Sequence, residues 1–218
     1  MTASLSTTPR STITRIRERA RTDRTDLYAV LDAGLVCHLG IVRDGAPVII
    51  PTGYGRIEDT LYLHGSTGAG YTRGIDGAPV CVTVTHLDGI VYARSVFHHS
   101  MNYRSAVVHG AARLVTDPDE RTAGLRAIVE HLAPGSWEHA RRPDRRELAA
   151  TAVFALSLTE ASVKVRAEQV GDDEDDLGDL DRWAGVLPVH TVFGAPEPSP
   201  TVPSDMSVPA HVTDRRAG

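Results

Sequence analysis

A chain of 218 residues is long enough to bury a sizeable core as one ordinary domain with terminal extensions. Its formal net charge of -5 and 41% apolar content exclude a strongly basic nucleic-acid binder and a wholly disordered polymer. No run of about 18 apolar residues is present, which argues against a membrane span, and Cys37 and Cys81 sit in apolar segments as inert thiols of a reducing, cytoplasmic setting.

Residues 1–24 contain arginines but no continuous apolar stretch of a secretory signal, and read as a flexible extension ahead of a domain spanning 25–191. Leu27, Val30 and Leu31 recur at helical spacing, and Gly34 is placed to stop that short helix. GLVCHLGIV, 34–42, and VIIPTGYG, 48–55, are β-rich. Asp44-Gly45 between them is a hairpin signal, so the two strands are expected as antiparallel neighbours. TLYLHGS, 60–66, makes a third strand, and TGAGYTRGID after it reads as a tight turn opening a brief helix. APVCVTVTHLDGIVYARSV supplies two β segments broken at Asp88-Gly89, and SAVVHGAARLV, 105–115, a further strand. Short links between such strands favour an antiparallel barrel over a parallel α/β sheet.

A helix is expected over about 118–132. Asp117 caps it, Pro118 suits its first position, and Glu120 lies three beyond the cap, as a reciprocal capping pair requires. Leu125, Ile128, Val129 and Leu132 form one apolar face to cover the sheet. Pro134-Gly135 ends the helix, and an arginine-rich segment through Arg146 leads into TAVFALSLTEASVKVRAEQV, a final strand or strand pair. GDDEDDLGDLD resembles a solvated loop. Residues 192–218, rich in Pro, Ser and Thr, read as a disordered tail.

The stretch FHHSMNYRSAVVHG, 97–110, concentrates the polar chemistry. Adjacent His98 and His99 would face opposite sides of a regular strand, and no metal-ligand spacing accompanies them, so no metal site is expected. There is no G-x-S-x-G turn, and the Gly-rich segments lack a phosphate loop's lysine. Ser66, Arg73, Arg104 and Ser105, with neighbouring glycines, have the hydroxyl, guanidinium and backbone donors that suit a phosphate.

From about Asp26 to Val189 the order of VIIPTGYG, LYLHGSTGAGYTRGI, SMNYRS, a helix, KVR, an acidic loop and WAGVLP resembles the flavin-nucleotide-binding branch of the pyridoxamine 5'-phosphate oxidase-like split-barrel superfamily. The resemblance implies a mainly β fold with flanking helices, a six-stranded antiparallel split β-barrel, and a homodimer holding FMN in two clefts at the subunit interface. It sets Ile50, Pro51 and Thr52 beside the isoalloxazine; Pro51, lacking an N–H, also argues for interrupted strand pairing there. It sets His64 and Ser66 near the flavin and its chain, and Tyr71 where relatives often carry a basic residue, with Arg73 in compensation. Asn102, Tyr103, Arg104 and Ser105 fall on the cofactor side, Arg104 and Ser105 meeting the phosphate, and Lys164 and Arg166 alternate toward the same surface. Trp183 is expected against the cofactor or the partner subunit.

The function so implied is an FMN-dependent oxidoreductase moving electrons from reduced nicotinamide to a small acceptor, with His64, His98 or His99 available for proton transfer. Pyridoxamine phosphate oxidation itself is not expected. A non-catalytic flavin or haem binding protein, and a deazaflavin-dependent reductase, are the alternatives. Neither nucleic acid nor membrane is an expected partner.

Overall fold

The computed structural model describes Ser4, Leu5, residues 8–179 and residues 181–215. In chain order its strands and helices are β1 (Ala20–Arg21), α1 (Arg24–Ala33), β2 (Cys37–Arg43), β3 (Ala46–Thr52), β4 (Tyr54–Ile57), β5 (Thr60–Ser66), β6 (Pro79–Tyr92), β7 (Ser100–Ala111), β8 (Arg113–Leu114), α2 (Pro118–Leu132), α3 (Ser136–His139), α4 (Arg145–Ala150), β9 (Thr151–Ser157), β10 (Glu160–Arg166), β11 (Gly185–Pro188) and α5 (Ala210–Thr213). The fold is mainly β with flanking helices, its strands divided between two sheets. Two compact units are present. The first comprises Met1–Gly34, Thr83–Val108 and Glu160–Thr191, the second Leu35–Val82, His109–Thr159 and Val192–Gly218.

In the first unit the strand order is β1-β10-β7-β6, with β11 also on β6. α1 starts where its sequence pattern places it: Asp23 caps it by accepting from the Thr25 N–H at 2.9 Å, and Leu27, Val30 and Leu31 are its buried face. His86 of β6 ties to this helix through Nε2 and the Val30 carbonyl, 2.9 Å apart. The residues ahead of α1 carry structure of their own. Leu5 is buried, Ser4 bridges to Asp23, Ala20 pairs with Lys164, and Arg10 forks onto Glu160 at 2.7 and 2.6 Å.

β6 runs unbroken through Asp88-Gly89, where the sequence suggested a turn. The reason lies in β11, which pairs Pro188 with Gly89 and Gly185 with Tyr92. A Cβ at residue 89 would sit 3.0 Å from a Val186 methyl and 3.2 Å from the Leu187 carbonyl, so glycine here serves close strand approach rather than a turn.

In the second unit β2 and β3 form the expected hairpin, with φ 50 at Asp44 and φ 77 at Gly45, the positive pair that a tight two-residue turn requires. β3 continues through Pro51, which pairs with His38, so the pairing expected to be interrupted there is not. β3 ends the order β6-β2-β3, and an edge strand is where a sheet tolerates proline. The other sheet, β4-β5-β9-β8, lies wholly in this unit. Residues 67–77 form successive turns rather than a brief helix. The Thr72 hydroxyl donates to the Ser66 and Ala69 carbonyls at 2.8 and 2.7 Å and so competes with helical backbone bonding.

α2 spans the expected residues and packs on β4 and β5. Gly124 meets the Tyr62 ring, and Ile128 joins Tyr62, Val115, Val153 and Ala155 in one buried cluster. Gly55 of β4 lies directly under the Ala127–Ile128 backbone. The contact stripe therefore runs through 124, 128 and 131, where His131 stacks 4.7 Å from Tyr54, and Leu132 falls outside it, 51% exposed. Asp117 caps α2 through the Glu120 N–H at 2.8 Å, but the Glu120 carboxylate does not return to the cap. It binds Arg113 at 2.5 and 3.1 Å and the Tyr62 hydroxyl at 3.2 Å. The complete capping box stands instead at α4, between Asp144 and Glu147. No described helix is long and apolar enough to cross a membrane.

Candidate functional site

The loop after β5 builds one side of a cleft in the second unit. Its first bonds are short and local: the Thr67 N–H donates to the Ala150 carbonyl at 2.9 Å, and the Gly68 N–H to Ser66 Oγ at 3.2 Å. Gly65 has no room for a side chain, because a Cβ there would overlap the Tyr71 hydroxyl and the Thr72 methyl. Tyr71 is thus packed back over the strand end. Arg73 is exposed and makes one long hydrogen bond, Nη2 to the Gly68 carbonyl at 3.4 Å.

Arg73 shares this cleft, about 410 Å³, with Arg121 of α2 and the side chains of Thr67, Thr72, Thr116 and Thr151. Arg121 is anchored by Nη2 to the Thr151 carbonyl at 2.9 Å. A guanidinium has five donors, so each arginine retains others for an anion. Two guanidinium groups on one concave surface can bind phosphate oxygens by charge-assisted bonds, whereas the Thr72 and Thr151 hydroxyls already donate to backbone carbonyls. Arg121 escaped the sequence reading because it is a helix residue 48 positions from Arg73; the strand order, not the local pattern, joins them.

A second cleft of about 320 Å³ lies beside the first in the same unit, and Thr151 lines both. His64 of β5 lines it together with Leu125 and Val129 of α2 and with Trp137, Leu148, Arg141 and Arg142. Loss of hydration holds the His64 pKa below the usual histidine value. Arg142 lies 4.6 Å above the Trp137 ring and pairs with Glu138 at 2.8 Å, while Arg141 grips Glu147 with two bonds of 3.0 and 2.7 Å. Arg141 and the Asp144 N–H together pull the Glu147 pKa down to about 2.

The segment Asn102–Ser105 stands in the first unit, where each side chain with a described bond has a protein partner. Asn102 organises the chain after β10, its Oδ1 accepting from Arg166 Nη1 at 2.5 Å and the Glu168 N–H at 3.1 Å, its Nδ2 donating to the Glu168 carbonyl at 3.0 Å. Arg104 forks onto Asp88, and Ser105 Oγ donates to the Lys164 carbonyl at 3.4 Å. Tyr103 is half-buried. Lys164 itself donates to the Arg15 carbonyl at 3.1 Å, and Arg166 is buried. Trp183, 68% exposed, lies over Gly185 with its ring 5.9 Å from Tyr92. Ile50, Pro51 and Thr52 lie on the edge strand β3 of the second unit.

The acidic loop is more than solvated. Asp172 binds Arg94 at 2.5 Å, and His98, Asp173 and Asp176 bring ligand atoms within 4.8 Å of one another. His98 Nε2 and Asp173 are already 3.0 Å apart as a hydrogen-bonded pair. Separation of about 75 residues hid this convergence from the sequence pattern.

The family model described as pyridoxamine 5'-phosphate oxidase matches residues 23–165. The flavocytochrome Anf3 from Azotobacter vinelandii is 36% identical, with 97% of this chain and 98% of that one covered and a TM-score of 0.90. A protein from Mycobacterium smegmatis described as FAD and heme binding is 37% identical over 91% of this chain and 98% of its own, with a TM-score of 0.87. No curated protein matches significantly.

Proposed function

Because the chain belongs to the pyridoxamine 5'-phosphate oxidase family, we propose that it is a redox protein binding a flavin nucleotide and a haem. The observation that carries the flavin reading is the meeting of Arg73 and Arg121 in one cleft, which gives an anionic nucleotide its charged anchor. Two guanidinium groups suit a diphosphate better than a single phosphate, and the M. smegmatis neighbour is an FAD protein by description. The flavin in this proposal is accordingly FAD, with FMN the variant to compare. Haem enters from both neighbours, one a flavocytochrome and the other described as binding heme.

A bound flavin supplies reversible electron acceptance, and the protein's part is to hold and orient it. Arg73, Arg121 and the Thr67 and Thr116 hydroxyls would hold the phosphates. Electron entry from reduced nicotinamide and exit to a small acceptor belong to the same proposal, as does closure of the strands into a six-stranded split barrel shared by two copies. The exposed face of the β2–β3 hairpin supports such pairing: Val42 and Ile49, 72% and 62% exposed, share one side of it.

The test is the absorption spectrum of the purified protein and the identity of the molecule it carries, followed by anaerobic addition of NADH or NADPH. Flavin bands that bleach with nicotinamide and recover with an acceptor support the redox reading. Flavin that binds but never bleaches restricts the protein to cofactor binding, and failure to bind FAD or FMN overturns the proposal.

A further inference from the structure

The acidic loop and the turn ahead of β7, both in the first unit, bring together three side chains that the flavin reading does not use. Glu174–Asp176 is a single 3-10 turn with Asp173 at its N-cap. Residues three apart eclipse in such a turn, so Asp173 and Asp176 project from one face of it. His98 closes a second 3-10 turn, Val96–His98, which Ser95 caps by accepting from the Phe97 N–H. Adjacent histidines on a regular strand would face opposite sides and share no ion, but this turn precedes β7 and releases His98 from that alternation. Its Nε2 meets the loop, while His99 Nδ1 accepts from the Ala93 N–H at 3.3 Å. Residues 172–181 hold seven carboxylates and no cationic side chain. Arg94 neutralises Asp172, and Arg182 pairs with Asp179. Asp173 has His98 as its ion-pair partner, and the half-buried Asp176 carboxylate has no hydrogen bond or ion pair with a described residue.

We propose that His98, Asp173 and Asp176 form a binding site for a divalent transition ion of the Zn2+ class, separate from the flavin cleft. One imidazole nitrogen and two carboxylate oxygens suit Zn2+ or Co2+ better than Ca2+ or Mg2+, which favour shells of oxygen alone. Bonds of about 2.0–2.2 Å to such an ion put tetrahedral ligand atoms roughly 3.3–3.5 Å apart. The three ligand atoms already lie within 4.8 Å of one another, and the nearest pair is 3.0 Å apart, so side-chain rotation closes the set. The ion takes the place of the proton shared by His98 and Asp173 and gives Asp176 its missing partner. Three protein ligands leave a fourth position for water or an anion. The occupied site pins the acidic loop to the entry of β7.

The test uses the full-length protein, cleared of metal with EDTA and titrated calorimetrically with zinc chloride. Wild type should take up Zn2+ saturably, and Co2+ should broaden the His98 imidazole NMR signals before those of the other histidines. His98→Ala should bind Zn2+ roughly tenfold or more weakly, since even supporting residues around a metal cost that much when removed. Asp176→Asn should lose as much, and it decides the matter if the unfolding midpoint shows that His98→Ala fails to fold. Glu174→Gln removes a loop carboxylate outside the set and should leave the affinity unchanged. Absence of saturable uptake, or wild-type affinity in a folded His98→Ala or Asp176→Asn protein, overturns the site. Equal weakening by Glu174→Gln, or displacement of Zn2+ by equimolar Ca2+, would trace the binding to diffuse acidity and overturn it as well. None of these readouts depends on whether flavin or haem binds.

Discussion

Arg104 of β7 and Asp88 of β6 meet as a two-pronged pair, Nε to Oδ2 at 3.0 Å and Nη2 to Oδ1 at 2.9 Å. The guanidinium that looked best suited to a phosphate is therefore engaged by a carboxylate of its own unit. Both side chains are about one-third exposed, so solvent screens the pair and its worth lies near the upper end of about 0.2–1 kcal/mol. Arg104→Ala should lower stability in urea by about that amount, with flavin affinity changed less than twofold. A tenfold loss of affinity at unchanged stability would return Arg104 to the cofactor.

Removal of the cleft arginines should behave in the opposite way. Arg73 and Arg121 have donors left over, and a hydrogen bond to a charged group contributes about 1.5–3 kcal/mol. Arg73→Ala and Arg121→Ala should each weaken FAD binding by roughly tenfold or more, measured by quenching of flavin fluorescence. Arg121→Lys should recover only part of the loss, because a single ammonium lacks the fork. Unaltered affinity in both alanine variants would remove the phosphate from this cleft.

Close packing of α2 on β4 predicts an unequal pair of glycine substitutions. A Cβ at Gly55 would fall on the Ala127–Ile128 backbone, whereas one at Gly53 would meet nothing within 4 Å. Backbone cannot rotate aside as a side chain can. Gly55→Ala should cost about 1–3 kcal/mol or more, and Gly53→Ala should stay within about 0.5 kcal/mol of wild type. Equal thermal midpoints would mean that α2 sits farther from the strand.

Most local signals matched local structure, the brief helix after β5 and the reciprocal role of Glu120 being exceptions. The Asp44-Gly45 turn, strand β5, the Asp117 cap and the Leu27–Leu31 helical face all depend on residues within one or two turns of each other. Asp88-Gly89 has the same dipeptide form as Asp44-Gly45 and yet lies inside a strand, because a partner almost 100 residues away, β11, occupies the space over Gly89. The same limit governed the sites. Arg73 was legible from its glycine-rich loop, but Arg121 and Trp137 come from distant segments brought close by β5, β9 and α2, and the partner of Arg104 comes from the neighbouring strand β6. Composition identified a phosphate-like inventory; topology decided which arginine was already committed.

Acid should loosen the mouth of the His64 cleft before it reaches the core. Glu147 closes the capping box of α4 by accepting from the Asp144 N–H at 2.8 Å while its own N–H donates to Asp144 at 2.8 Å. Arg141 first, and then the Asp144 N–H, hold its pKa at about 2, below the reference value of 4.5. A carboxylate depressed by folding contributes stability above the unfolded value and loses it as pH falls. The contribution should thus be full at neutral pH, decline from about 4.5, and vanish near 2. Carboxyl NMR shifts should show Glu147 titrating late, with the Asp144 and Glu147 amides exchanging faster over that interval. In Glu147→Gln the part of this acid dependence that belongs to Glu147 should disappear, leaving Asp144 as the one carboxylate of the box. An identical pH profile in the variant would assign the loosening to other carboxylates and separate α4 from the acid response.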